Sequence, residues 1–201
     1  MSRKQYYLDF FGEDKEYNIN PARLEKNLID YLSTNFPCEK IKNSPPGNQR
    51  IKDNMEIAAL CYAAAEIKCA TPIVMYPQMF RFSICIERYI SKKKIEDRLE
   101  DYPFMHLAVR CGRKSIPALK QLIFDPENHE NRLIAIAVLM KIDPQEARGA
   151  ALKIQDDLSP EMRSILLSYL ENPEVAPWDM FAMFSSRGRA MMEHARRGSR
   201  Y

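Results

Sequence analysis

Apolar residues recur at helical spacing along most of this chain, and prolines separate the apolar runs from one another. The spacing is clearest between Phe104 and Pro173, where the tripeptide Ala-Leu-Lys occurs at 118–120 and again at 151–153, a period of 33 residues. Paired short helices at such a period predict stacked helical hairpins, because one hairpin cannot bury its apolar face alone. The predicted helices span residues 104–111, 114–124, 130–142, 145–156 and 160–171.

The N-terminal half also predicts helices, one of which is apolar nearly all round. Asn20 followed by Pro21 is a favoured helix start, and apolar positions at helical spacing come after it. Residues 53–70 predict a helix that is central and buried, since its apolar residues are not confined to one face. Residues 78–100 predict a further helix, although the alternating apolar positions at their start also fit a strand.

Prolines and glycines mark the predicted breaks between these helices. Residues 37–52 predict a loop, because the Ser-Pro-Pro-Gly-Asn within them cannot continue any regular element. Residues 71–77 predict a short extended connector or a brief helical turn. Residues 177–197 predict a closing helix, which shields the end of a repeat array from solvent.

The predicted organisation is one α-helical domain over residues 1–201. Its fold class is all-α, as a right-handed α-α superhelix with an N-terminal helical extension. The parts are an N-terminal helical part at 1–102, repeats at 103–173, and a capping helix with a basic tail at 174–201.

Charge is concentrated at one end of the chain. The formal net charge is +3 at pH 7, but the last 17 residues alone hold five arginines and one glutamate. The tail therefore carries +4 and the rest of the chain about −1. A neutral body lacks the broad basic face that is typical of a nucleic-acid-binding domain.

The cysteines and the apolar runs predict a soluble protein of a reducing compartment. The five cysteines include no Cys-x-x-Cys pair, and most lie in apolar helical runs, so we expect free thiols. The first residues lack the apolar stretch of a signal peptide. No apolar run approaches the roughly 20 residues of a transmembrane helix. We therefore expect a cytoplasmic location.

The two predicted hairpins share a residue pattern. In the first it is carried by Arg132, Ala135, Ala137, Leu139, Ile142, Asp143 and Pro144. In the second it is carried by Arg163, Leu166, Leu167 and Leu170, with Asn172 and Pro173 at the turn and Ser and Tyr where small residues are usual. Residues 104–173 thereby resemble HEAT-like repeats of the short bacterial type, which also occur in phycobilin-lyase-like proteins. The resemblance implies a helical repeat fold, and it implies that Arg132 and Arg163 pair with acidic residues of neighbouring helices.

Catalytic, cofactor and metal motifs are absent from the sequence. His106, His129 and His194 lie far apart, and no Gly-rich phosphate loop, nucleophile elbow or metal-binding spacing occurs. We expect no catalysis, no cofactor and no metal. The candidate contacts to a partner or to phosphate lie in the C-terminal segment and are Trp178, Arg187, Arg189, Arg196, Arg197 and Arg200.

The sequence leaves three functions open. The first is a non-catalytic protein-binding module, of regulatory, immunity or scaffold type, that recognises a protein partner through the helical-repeat surface. The second is nucleic-acid binding, because the resemblance extends to HEAT-like alkylpurine DNA glycosylases; the neutral body argues against it. The third is a tetrapyrrole lyase or chaperone, which rests on the repeat resemblance alone. The sequence does not set the oligomeric state.

Overall fold

The computed structural model describes residues 21–84, 99, 101–127 and 129–171. All regular elements in these ranges are helical and none is a strand, which confirms the all-α prediction for the described part of the chain. No helix within it is both long enough and apolar enough to cross a bilayer. The α-helices are α1 (Pro21–Asn35), α2 (Cys38–Asn43), α3 (Asn48–Glu66), α4 (Thr71–Met75), α5 (Pro103–Cys111), α6 (Ile116–Phe124), α7 (His129–Ile142), α8 (Pro144–Ile154) and α9 (Pro160–Glu171).

From α3 onward, successive helices belong alternately to two rows. Helices α4, α6 and α8 follow one another in the first row, and α3, α5 and α7 do so in the second. Helix α9 continues the second row, because the Tyr169 hydroxyl donates a hydrogen bond to the Ala137 carbonyl of α7 over 3.3 Å. Helix α7 also packs on α6 and α8, its neighbours along the chain. The arrangement therefore places α7 among helices of both rows.

Helix α7 is enclosed on all sides through residues 131–140. All ten side chains are buried, including those of Asn131 and Arg132. The helix predicted to be buried over 53–70 is buried or half-buried from Ile57 to Ala65 of α3, but Met55 near its start is exposed, so its enclosure is less complete than that of α7. The run of eight apolar residues after Arg132 explains the difference, since a helix apolar on every face gains most from complete enclosure.

The predicted helix boundaries of the second half are largely confirmed. The Asp143 carboxylate accepts the Glu146 backbone N–H at the start of α8, and the Ser159 hydroxyl accepts that of Met162 at the start of α9. These side chains satisfy backbone donors that have no partner within the helix. Gly112 follows α5 with a φ of 57°, a left-handed conformation that favours glycine.

The predicted loop over 37–52 is wrong in its extent. Helix α2 forms inside it and α3 already begins at Asn48, so only residues 44–47 connect them. Burial of Ile41 anchors the short helix, and the Ser44 hydroxyl donates to the Lys40 carbonyl at its C-terminal end. The Arg50 guanidinium also donates to the Ser44 carbonyl, over 2.9 Å. A single buried side chain with local hydrogen bonds thus supports a short helix on one side of the proline- and glycine-containing turn, and the predicted loop shrinks to that turn.

The predicted helix over 78–100 is wrong at its start. The 71–77 segment contains α4, which confirms the helical alternative for it, but a short 3₁₀ turn at Pro77–Met79 ends the helical structure before residue 82. Tyr76 fixes this bend, since its buried hydroxyl donates to the Phe36 carbonyl at 2.7 Å, beyond the end of α1. Residues 85–98 and 100 lie outside the described residues.

Removing a side chain from α7 tests how tightly this helix is enclosed. Leu139 is fully buried, so we expect Leu139→Ala to lower the free energy of unfolding by about 2–5 kcal/mol. Leu152→Ala on α8 is the matched control, because 58% of Leu152 is exposed and its loss should change stability by no more than about 0.5 kcal/mol. Chemical denaturation measures both. Equal effects of the two substitutions would contradict the enclosure of α7.

Candidate binding surface

A buried arginine joins the two C-terminal hairpins. The Arg132 side chain is 2% exposed, and its Nε donates to the Ile123 carbonyl in the last turn of α6 over 2.8 Å. Its Nη2 donates to the Asp157 carboxylate, after α8, over 2.9 Å. One guanidinium therefore satisfies a carbonyl at the end of one helix and binds a carboxylate of the next hairpin, which no lysine could do with the same geometry.

Arg163 repeats this contact one hairpin later. Its Nε donates to the Gln155 carbonyl just after α8 over 2.8 Å, and its Nη2 lies 3.3 Å from the Asp156 carboxylate. The Arg163 side chain is 41% exposed, so solvent screens this ion pair far more than that of Arg132. The two arginines thus make the acidic pairings that the family resemblance implied, with Asp157 in the neighbouring hairpin and Asp156 in the same one.

Helix α9 has accessible apolar side chains, whereas those of α7 from residue 131 to 140 are buried. Only Leu166 and Tyr169 of α9 are buried, whereas Met162, Ile165 and Leu170 are half-buried. Leu167 is 40% exposed, and Leu152 of the preceding helix is 58% exposed. We define the α8–α9 surface as the exposed and half-buried residues Leu152, Met162, Ile165, Leu167 and Leu170. It is the part of the repeat region with the most accessible apolar side chains among the described residues.

Three of the four thiols in the described part lie in the helical core, and the fourth, Cys38, is half-buried. Cys61, Cys69 and Cys111 are buried and all three are free. Burial raises the pKa of the Cys61 thiol well above its usual range, and it raises that of Cys111 to about 11, with a smaller contribution from Cys69. A protonated thiol is a poor nucleophile, so these side chains act as small apolar residues.

The sequence-predicted histidine and acidic positions form no joint site within the described residues. His106 on α5 lies against the Tyr62 ring of α3, with the ring centres 5.4 Å apart. No group of three or more histidine, cysteine, aspartate or glutamate side chains is placed to hold a metal ion in the ranges that the structure describes. Asp156 and Asp157, adjacent in sequence, are each engaged by an arginine.

The sequence-predicted contact residues lie outside the described residues. They are Trp178, Arg187, Arg189, Arg196, Arg197 and Arg200, together with the closing helix predicted over 177–197. The geometry of the candidate surface therefore rests on α8 and α9 alone. The sequence patterns alone did not indicate this surface. The signal that could have found it is that Leu152 and Leu167 are apolar residues on the otherwise polar side of their predicted helices.

Comparisons of the chain with protein-family models, with curated proteins and with solved structures find no match.

Removing the two aspartates separately tests the two arginine contacts. Asp157→Ala leaves the buried Arg132 without its carboxylate, so we expect a loss of about 1–3 kcal/mol in the free energy of unfolding. Asp156→Ala affects the half-exposed Arg163, and we expect a loss below about 1 kcal/mol. Urea denaturation of both variants makes the comparison. A larger loss for Asp156→Ala would show that Arg132 does not depend on its ion pair.

The buried thiol and phenol groups predict a loss of stability in alkali. Burial raises the pKa of Cys111 to about 11 and that of Tyr169 to about 12, whereas in the unfolded chain these groups ionise near their ordinary values of about 9 and 10. The unfolded state then loses its protons first, so stability should fall as pH rises from about 9 to about 12. Urea midpoints across this range measure the fall, and Cys111→Ala should reduce its early part. A constant midpoint would contradict it.

Proposed function

We propose that this chain is a non-catalytic protein-binding module built from HEAT-like repeats, which recognises its partner through the α8–α9 surface. The observation that carries the proposal is the accessible apolar side of α9. Helix α7, one place earlier in the same row, has every side chain from 131 to 140 buried, whereas Leu167 of α9 is 40% exposed. Apolar side chains that the described helices leave accessible are available to pack against another protein.

The repeated arginine contacts support the repeat part of the proposal. Arg132 and Arg163 each donate from Nε to a carbonyl at the end of the preceding helix, and each also binds an aspartate. Equivalent contacts in consecutive hairpins are expected where both hairpins fold and stack in the same way. A right-handed superhelix is the arrangement that we infer from them together with the two rows of helices.

The charges beside the surface are mixed in sign, which suits a protein partner better than a nucleic acid. Glu161 and Glu171 are exposed on α9, whereas Arg148 and Lys153 are exposed on α8 beside Leu152. Carboxylates would repel a phosphate backbone, whose binding depends on lysine and arginine contacts. A protein partner can instead cover the apolar side chains and leave the carboxylates at the rim of the interface, where they remain solvated.

A pair of charge substitutions on α9 tests the proposal. Leu167→Asp places a carboxylate at the most exposed apolar position of α9 and should abolish capture of the native partner from a lysate of the source cells. Ser168→Asp adds the same charge at the neighbouring exposed position and should leave capture intact. Affinity purification with mass spectrometry compares both variants with the unchanged full chain. Partners retained by Leu167→Asp, or lost equally from both variants, would reject this surface.

A further inference from the structure

Helix α3 extends well beyond the helix that packs beside it. The Tyr62 ring of α3 contacts the His106 ring of α5, and Glu66 lies 3.8 Å from Arg110 one turn further along. Both partners advance by four residues, so the two helices run side by side in the same direction. Pro103, the first residue of α5, is then level with residue 59 of α3. The first eleven residues of α3 therefore extend past α5 by roughly 16 Å.

This extension carries an exposed stripe on the face that packs against α5 further along. Asn48, Ile51, Lys52 and Met55 follow the spacing i, i+3, i+4 and i+7, and all four are exposed. Ile51 is 62% and Met55 42% exposed, so two large apolar side chains sit one turn apart in solvent. We call these four residues the α3 stripe. Tyr62 continues the same face, which shows that this side of α3 is suited to receive another helix.

Lysines surround the α3 stripe. Lys52 belongs to the stripe, and Lys40 and Lys42 are exposed on α2, which packs on α3. The two α2 lysines flank Ile41 in sequence, and because Ile41 is buried they project away from the core. Glu39 is the exposed carboxylate of α2 and offsets part of this charge. The corner formed by the two helices is therefore basic as well as apolar.

Other carboxylates of this corner are engaged within the protein. Asp53 is buried, and its carboxylate accepts a hydrogen bond of 2.6 Å from the Gln49 amide. Glu56 is half-buried, and its carboxylate accepts one of 3.2 Å from the Tyr31 hydroxyl of α1. Both acids are therefore engaged by groups of the protein itself, whereas the three lysines of this corner are exposed. A partner approaching the α3 stripe meets mainly positive charge.

We propose that the α3 stripe binds an acidic amphipathic helix of a partner protein, beside the start of α5. The apolar side chains of that helix would cover Ile51 and Met55, and its carboxylates would pair with Lys40, Lys42 and Lys52. A helix laid against an exposed apolar helical face is a common recognition mode, and opposite charges on its rim fix its orientation. This surface lies on α2 and α3 and is independent of the α8–α9 surface.

The charges favour this occupant over two others. A second copy of the chain, docked through the same face, would bring its own lysines against these, and like charges across an interface are unfavourable. A nucleic acid would use the lysines through its phosphates but would gain nothing from Ile51 and Met55. Both remain outcomes of the experiment.

Peptide titrations with the full chain test the proposal. The probe is a fluorescein-labelled synthetic helix with leucines at i, i+3, i+4 and i+7 and glutamates elsewhere. Its two counterparts are the same helix with lysines in place of the glutamates, and a single-stranded DNA oligonucleotide. We expect saturable binding of the acidic helix, measured by fluorescence anisotropy, and much weaker binding of the basic one.

Variants locate the binding. The double substitution Ile51→Ser with Met55→Ser should weaken binding of the acidic helix by about tenfold or more, and Lys52→Glu should weaken it while strengthening the basic helix. Phe124→Ser, at a position on α6 that is as exposed as Met55 and belongs to neither proposed surface, should have no effect. Circular dichroism confirms that each variant is folded.

The remaining outcomes overturn the proposal. Absence of saturable binding by the acidic helix would reject it, as would loss of binding through Phe124→Ser alone. DNA binding that exceeds that of the acidic helix and survives the Ile51 and Met55 substitutions would assign the corner to phosphate. Dimerisation that the same substitutions abolish would assign it to a second copy. None of these results depends on the Leu167 variant, so this proposal and the proposed function fail separately.

Discussion

The enclosure of α7 is the constraint on which the rest of the fold depends. A helix that is apolar on every face through eight consecutive residues has no side to offer to water, so helices must pack around it. Helices α5, α6 and α8 do so, and Tyr169 connects α9 to it. Each fully buried Leu or Ile contributes on the order of 1.5–3 kcal/mol, which makes α7 the main source of stability in the C-terminal half.

Arg132 shows how this enclosure accommodates a charge. It enters α7 one residue before the apolar run, where the end of α6 and the turn after α8 meet. A buried guanidinium is costly unless it is hydrogen-bonded and paired. Here a carbonyl binds Nε and a carboxylate binds Nη2, while Nη1 is buried without a partner among the described residues. Because these partners belong to different hairpins, the arginine also fixes how one hairpin sits on the next. Arg163 lies at the equivalent place but nearer to solvent, as expected at the end of a row.

The sequence predicted the second half of the fold well, because its signals are local. Periodic apolar residues, the caps Asp143 and Ser159 and the left-handed Gly112 fix helix boundaries through contacts a few residues apart. It failed at α2, where burial of Ile41 supports a short helix before the proline-rich turn, and at residue 80, where Tyr76 reaches a carbonyl forty residues earlier. It also failed to identify either candidate surface. Exposure at Ile51 or Leu167 depends on where the neighbouring helices begin and end, which local patterns do not encode.

The two proposed surfaces follow from the same geometry. A helix in the middle of a two-row array has neighbours before and after it. Its apolar side chains are therefore buried against those neighbours, as in α7. A helix at the end of a row, or one longer than its neighbour, keeps apolar residues that nothing in the described array covers. Helix α9 is the first case and α3 the second. We therefore place the two candidate surfaces at the last described helix and at a mismatch in helix length. The charges nearby would then help to select the partner, being mixed beside α9 and mainly basic beside α3.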